Sequence, residues 1–319
     1  YDDIVQLGRI GLSKAVDKYD LSKNTKFATY ATYWIKQSID KGLQSINADI
    51  NEPIKVANLR NHFYSTEEEM FDLIHEMRKR VMTSKVFTNE HILGTILFEK
   101  TMMSEVNGKF TADYLWDEKG IVSFLKVDNG LAEEKNGVKL MKEIPNLKEE
   151  IEEANKKHVF GTKMRSVIYE ANEEGIRDIV NQQFEFAKTI CDGGLVPIIE
   201  PEVDIHSEQK ELCEKILKDE IIRKLKEWNP ADKIMFKFTI PTVANHYLDL
   251  YDYDCVVRIV ALSGGYEIDE ACELLAKNNR MIASFSRALL QDLNAHQTQE
   301  EFDTALNNAI VKIYNASID

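Results

Sequence analysis

Cysteine is scarce in this 319-residue chain: Cys191, Cys213, Cys255 and Cys272 are the only four, and no two form a C-x-x-C pair. That spacing excludes a zinc ribbon or a disulfide framework and predicts a reducing, cytoplasmic compartment. Long apolar runs are also missing. No stretch reaches the roughly eighteen apolar residues of a membrane span, and the longer ones carry charge, which excludes a transmembrane helix and a secretory signal. Positive charge is short as well, with 40 Lys and Arg against 54 Asp and Glu, a net charge of −14. So acidic a body argues against broad nucleic-acid binding, which needs a basic surface for the phosphate backbone. The chain opens on Tyr1 rather than Met, so a fragment or a processed product is expected. What is present is a 44% apolar, 29% charged composition, which suits a globular protein with a sizeable core.

The acidity is unevenly spread. Residues 1–62 carry nine Lys and Arg against seven Asp and Glu, a balance of +2, which leaves −16 for the rest. Any nucleic-acid role therefore falls to the first sixty residues. Their apolar spacing is helical through Ile4, Leu7 and Ile10 and again through Tyr30, Trp34 and Ile35, with a polar break at 20–24. Glu52-Pro53 blocks continuation. A further helix is predicted from near Ser65, where Ser65 and Thr66 each precede a Glu by three residues in capping-box spacing. Phe71, Ile74, Met77 and Val81 give it an apolar stripe.

From about residue 90 the rhythm changes. Short β-rich runs recur at 92–98, 121–127, 158–164, 195–202, 233–240, 256–263 and 281–287, and charged helical stretches fill the gaps. Strand and helix in alternation predict parallel βα units. Seven strands are one short of a closed (β/α)8 barrel, the TIM-barrel fold.

Polar residues gather at the C-terminal ends of these runs, two apart and so on one face. The pairs are Lys126 and Asp128, Lys163 and Arg165, Glu200 and Glu202, and Lys237 and Thr239. Buried charge is costly unless paired, so four neighbouring strands placing charge at one mouth point to a site. An ion-pair plug is the bland alternative for any one strand. Lys237 lies in the apolar run Ile234-Met-Phe-Lys-Phe-Thr-Ile-Pro241. Snorkelling would explain a lone lysine there. The sharper reading is a Schiff-base nucleophile, whose amine must be neutral to attack a carbonyl, a form that desolvation or a nearby cation favours. Lys163 and Arg165 offer the cation, and Glu200 and Glu202 the proton traffic. Ser263-Gly264-Gly265 follows one of the last two runs and Ser286-Arg287 ends the other, where many barrels hold a phosphate.

These stretches, together with TADYLWDEKGIVSFLKVDNGLAEE, HVFGTKMRS, GLVPIIEPEV, LSGGY and IASFSRALLQDL, make residues 64–319 resemble a class I fructose-bisphosphate aldolase of the short bacterial type. The resemblance implies a metal-free, cofactor-free carbon–carbon lyase acting on a sugar bisphosphate. It implies that Lys237 forms the imine, with Glu200, Glu202 and Lys163 as catalytic partners. Lys126, Arg165, Ser263, Gly264, Gly265, Ser286 and Arg287 would bind substrate and its phosphates. The residues do not read the ketose's stereochemistry, so a tagatose bisphosphate stays open. Such aldolases begin with a strand of the type G-F-I-A-A-L-D-Q-S-G-G-S-T, whose Asp takes part in carbon–carbon cleavage. Nothing in residues 1–63 matches it, so the expected fold is a barrel lacking its first strand.

Residues 1–62 resemble a different family, region 2 of a bacterial sigma factor, through DDIVQLGRIGLSKAVDKYDLSKNTKFATYATYWIKQSIDKGL. That resemblance implies a small all-α segment that meets RNA polymerase. Phe27, Tyr30, Tyr33 and Trp34 would stack bases of the promoter −10 element, Lys36 would meet phosphate and Gln37 a base edge. An ordinary packing stripe has the same spacing. The family's basic continuation is replaced by Ala48-Asp-Ile-Asn-Glu-Pro53, and Asp40 follows Lys36 by one turn, so weak DNA binding is expected. The two likenesses meet near residues 62–64, each truncated there. The expectation is therefore a fusion of a sigma-like segment and an aldolase-like barrel, with a transcription-initiation module as the rival to the enzyme.

Overall fold

The computed structural model describes residues 67–294 and 296–318. The helical segment expected at 1–62 and the capping box at Ser65 and Thr66 lie outside them. By its internal contacts the chain divides between Asn61 and His62.

Seven parallel strands lie side by side in chain order and curl into a barrel-like α/β sheet. They are β1 (Gly94–Leu97), β2 (Val122–Lys126), β3 (Gly161–Ile168), β4 (Val196–Val203), β5 (Ile234–Thr239), β6 (Val256–Leu262) and β7 (Met281–Ala283). Among the described residues no strand joins β7 to β1. The helices are α1 (Glu67–Thr83), α2 (Thr111–Lys119), α3 (Leu147–Lys156), α4 (Glu173–Asp192), α5 (Lys210–Leu225), α6 (Ile268–Leu275) and α7 (Gln299–Asn315), with shorter turns between them.

All seven expected strands are present, with shifted ends. The run at 158–164 becomes a strand only at Gly161, because His158 takes a positive φ of 57° and bonds Asp113 through Nδ1 at 2.8 Å. The run at 281–287 is strand only to Ala283. Ser286 and Arg287 lie beyond it, at the start of the short helix Arg287–Leu290.

Burial on both faces explains the near-continuous apolar strands. In β5 the pleat sends Phe236 and Phe238 to one face, where their rings stack at 5.2 Å and Tyr247 covers Phe238 at 3.9 Å. Lys237 and Thr239 take the opposite face. Each buried aromatic contributes about 2–3 kcal/mol to holding β5 against the outer layer. The pleat therefore fixes where the lysine points.

Among the described residues, α1 and the turn after it meet α7 and the loop before it. Arg80 at the end of α1 donates from Nη2 to Gln297 O at 2.7 Å and Thr298 O at 3.1 Å, and from Nε to Gln299 Oε1 at 3.2 Å. Its guanidinium lies 4.1 Å from the Phe302 ring. Ser84 donates to Asp303 at 2.6 Å, and His91 meets Tyr314 edge-on at 4.5 Å.

Candidate active site

At the C-terminal ends of β2 to β5, charged side chains form one chain of contacts. Lys126 Nζ lies 2.8 Å from Asp128 Oδ1, and Asp128 Oδ2 lies 3.5 Å from Lys163 Nζ. Lys163 Nζ then lies 2.9 Å from Glu200 Oε2, and Glu200 Oε1 lies 3.0 Å from Lys237 Nζ. Beside this chain, Arg165 Nη1 donates to Glu202 Oε2 at 3.1 Å. Lys163, Glu200 and Lys237 are 4%, 3% and 8% exposed. Ions this deep persist only when paired, and here each has a partner on a neighbouring strand.

The electrostatics follow from that order. Burial opposes the charge on Glu200, but Lys163 and Lys237 outweigh it and hold the carboxyl below its ordinary range. Asp128 behaves alike: burial is overcome by Lys163 and Lys126. Lys163 is pushed up, burial being outweighed by Glu200 and Asp128. Glu202 goes the other way, because burial, with Glu200 nearby, prevails over its Arg165 partner and raises it. The cluster holds four basic side chains and three acidic ones. Its positive excess suits an anionic ligand.

Chemically, an amine that shares a carboxylate with a second amine can exchange protons without solvent. That is what attack on a carbonyl followed by loss of water requires. Among the described residues no group of His, Cys, Asp and Glu converges as a metal site would. No described helix is long and apolar enough to cross a membrane.

Comparison with known proteins supplies the family and the fold. Residues 37–237 match the family model described as fructose-bisphosphate aldolase class-I. The chain belongs to the class-I fructose-bisphosphate aldolase family. Membership implies a lyase acting on a small sugar phosphate. Residues 1–45 match sigma-70 region 2, overlapping the aldolase match at 37–45. Among solved structures, a fructose-bisphosphate aldolase from Plasmodium falciparum, in ternary complex with TRAP and a small-molecule inhibitor, is similar at a TM-score of 0.63 and 20% identity. The similarity covers 76% of this chain and 82% of that one. At that identity it establishes the fold alone.

The aldolase-family chain brings six expected residues into one cluster: Lys126, Lys163, Arg165, Glu200, Glu202 and Lys237. Sequence reading anticipated the carboxylates as proton carriers and Lys163 and Arg165 as the source of a cation near Lys237. The geometry inserts Glu200 between the two lysines. Asp128, paired with Lys126 by its spacing in the sequence, also bridges to Lys163 from just past the end of β2. The other candidates do not join the cluster. Ser263 is buried just past β6, and Gly264 and Gly265 follow with φ of 62° and 120°. A Cβ on Gly264 would come within 2.6 Å of Ile205 Cγ2, so conformation and space both require glycine there. Ser286 and Arg287 are exposed beyond β7. Because β6 and β7 pair through Ala261 and Ala283, both loops leave the same end of adjacent strands. Phe27, Tyr30, Tyr33, Trp34, Lys36 and Gln37 lie outside the described residues.

Proposed function

We propose that residues 64–319 catalyse reversible cleavage of fructose 1,6-bisphosphate to dihydroxyacetone phosphate and glyceraldehyde 3-phosphate through an imine on Lys237. The observation that carries this reading is the buried Lys163–Glu200–Lys237 contact at 2.9 and 3.0 Å. Lys237, once its proton has passed to Glu200, adds to the C2 carbonyl of the open-chain ketose. Glu200 passes the proton that lets the carbinolamine oxygen leave as water. The resulting iminium accepts the C3–C4 bonding pair as an enamine, and the C4 hydroxyl proton departs as the aldehyde forms. Lys126 and Arg165 serve one phosphate; Ser263, Gly264, Gly265, Ser286 and Arg287 serve the other. Borohydride reduction in the presence of dihydroxyacetone phosphate should leave a covalent adduct on the Lys237 peptide, with chelator present. An adduct on another residue, or activity abolished by chelator, would overturn the reading.

The sigma-70 region 2 match favours a second reading confined to the N-terminal segment: contact with RNA polymerase or promoter −10 DNA. The expected outcome is weak, salt-sensitive binding to a single-stranded −10 sequence. Tight sequence-specific binding lost in Trp34→Ala would make DNA recognition a working function.

A further inference from the structure

The contact between Glu200 and Lys237 lies where two neighbouring strands part. β3 and β4 pair along all eight residues, from Gly161 with Val196 to Ile168 with Val203. β5 stays paired with β6 as far as Thr239 with Leu262. Between β4 and β5, however, the ladder holds only Ile198 with Met235 and Ile199 with Phe236. The next residues along are Glu200 and Lys237.

Pro201 has no N–H with which to continue the ladder, and two buried side chains brace the backbone around it. Gln183, fully buried on α4, donates from Nε2 to the backbone carbonyl of Glu200 at 3.2 Å. Thr239, 2% exposed, donates from Oγ1 to Val203 O at 2.6 Å and accepts from Val203 N at 3.0 Å. Val203 N–H and C=O face β5 across the break, and without Thr239 they would lack partners, at a desolvation cost of about 1–3 kcal/mol each. Glu200 C=O faces β3, within the intact β3–β4 ladder, so the bond from Gln183 is an additional one. It holds the peptide of Glu200 from the helix layer. Thr239 ties the end of β5, two residues past Lys237, to β4.

We propose that Gln183 and Thr239 are positioning residues. Gln183 fixes the Glu200 peptide from the helix layer and Thr239 ties β5 to β4 across the opening at Pro201, which together set the Glu200 carboxylate against the Lys237 amine while its other oxygen reaches Lys163. An uninterrupted ladder would draw the strands to their usual spacing of about 4.8 Å along this stretch. An unsatisfied break would let them drift. The inference rests on the reading of Lys237 as the imine-forming residue.

The test is the rate of borohydride trapping of dihydroxyacetone phosphate on the Lys237 peptide, at several ligand concentrations. It uses the full chain and its Thr239→Val, Thr239→Ser and Gln183→Leu variants, each checked for folding by thermal unfolding. Thr239→Val keeps the shape and removes both hydroxyl bonds, whereas Thr239→Ser keeps them. Misplacement on the ångström scale can cost about 100-fold. The expected result is trapping about 10- to 100-fold slower in Thr239→Val and Gln183→Leu at saturating ligand, with half-saturation unchanged. Thr239→Ser should return to within about twofold of the parent. If Thr239→Val does not fold, Gln183→Leu and the serine variant still decide. Folded variants that trap at the parent's rate, a serine as slow as the valine, or a change in half-saturation alone would overturn the positioning role and leave Lys237 standing. A parent chain that forms no adduct on Lys237 would overturn the imine reading, and this inference with it.

Discussion

At the residue scale the decisive group is Glu200, because one carboxylate serves two buried lysines. Glu200→Gln leaves Lys163 with Asp128 and strips Lys237 of its partner, so stability should fall by about 3 kcal/mol. Trapping should slow about 10²- to 10⁴-fold, the usual worth of a proton-transfer group. Chemical denaturation and adduct formation check the two effects separately. A second prediction concerns pH. Asp128 and Glu200 are depressed in the folded state, so their contribution is complete above about pH 4, the unfolded carboxylate range, and is lost as pH falls through their folded values. Glu150 on α3 has the opposite sign. Burial, with Glu99 adding to it against Lys126, pushes its carboxyl up to about 7. The folded state therefore binds a proton that the unfolded state releases, and stability is lost as pH rises from about 4 to 7. Glu150 is half-exposed, which screens the effect. Glu150→Gln should gain about 1 kcal/mol at pH 7.5 and almost nothing at pH 4. Equal gains at both pH values would show that the carboxyl does not titrate in that window. Charge type and period-two spacing made the six clustered residues legible in the sequence. Asp128 was only half legible, since it acts from beyond the strand. Gln183 was not legible at all, because a glutamine in an amphipathic helix carries no mark of the carbonyl it meets.

At the element scale, β-rich runs broken by charged helices gave all seven strands, because doubly covered parallel strands must be apolar along most of their length. Their ends were less legible. His158 in the left-handed region and the early departure of the chain after Ala283 depend on tertiary contacts that no local pattern encodes. The contact between α1 and α7 was equally hidden, since Arg80 and the loop before α7 are more than two hundred residues apart in sequence. Arg80 supports that contact through its bonds to 297–299 and its stacking on Phe302, both of which anchor the start of α7. Arg80→Ala should cost about 1–3 kcal/mol. It should also raise amide exchange in α7 and in β1, the strand that follows α1, more than in β3 to β5. Uniform loss of protection across the sheet would mean that Arg80 adds only to global stability.

At the scale of the whole molecule, the described sheet has two unpaired edges, the outer sides of β1 and β7, while its charged cluster sits on the four strands β2 to β5. Edge amides without ladder partners open more readily than central ones, so local stability should fall from β4 outward in both directions. The cluster thus lies away from both edges, and the proposed imine formation would draw only on Lys163, Glu200 and Lys237. Carbon–carbon cleavage needs more. The resemblance assigns the proton of the cleavage step to an Asp on a first strand that residues 1–63 do not match. The prediction is therefore a separation of two activities: an adduct on Lys237 that forms readily, and cleavage of fructose 1,6-bisphosphate slower by about 10²- to 10⁴-fold than an intact family member achieves. Hydrogen exchange on the same sample decides how the separation is read. Residues 94–97 should exchange faster than 163–167. If they are equally protected and cleavage is fast, another segment completes the sheet and brings a carboxylate with it.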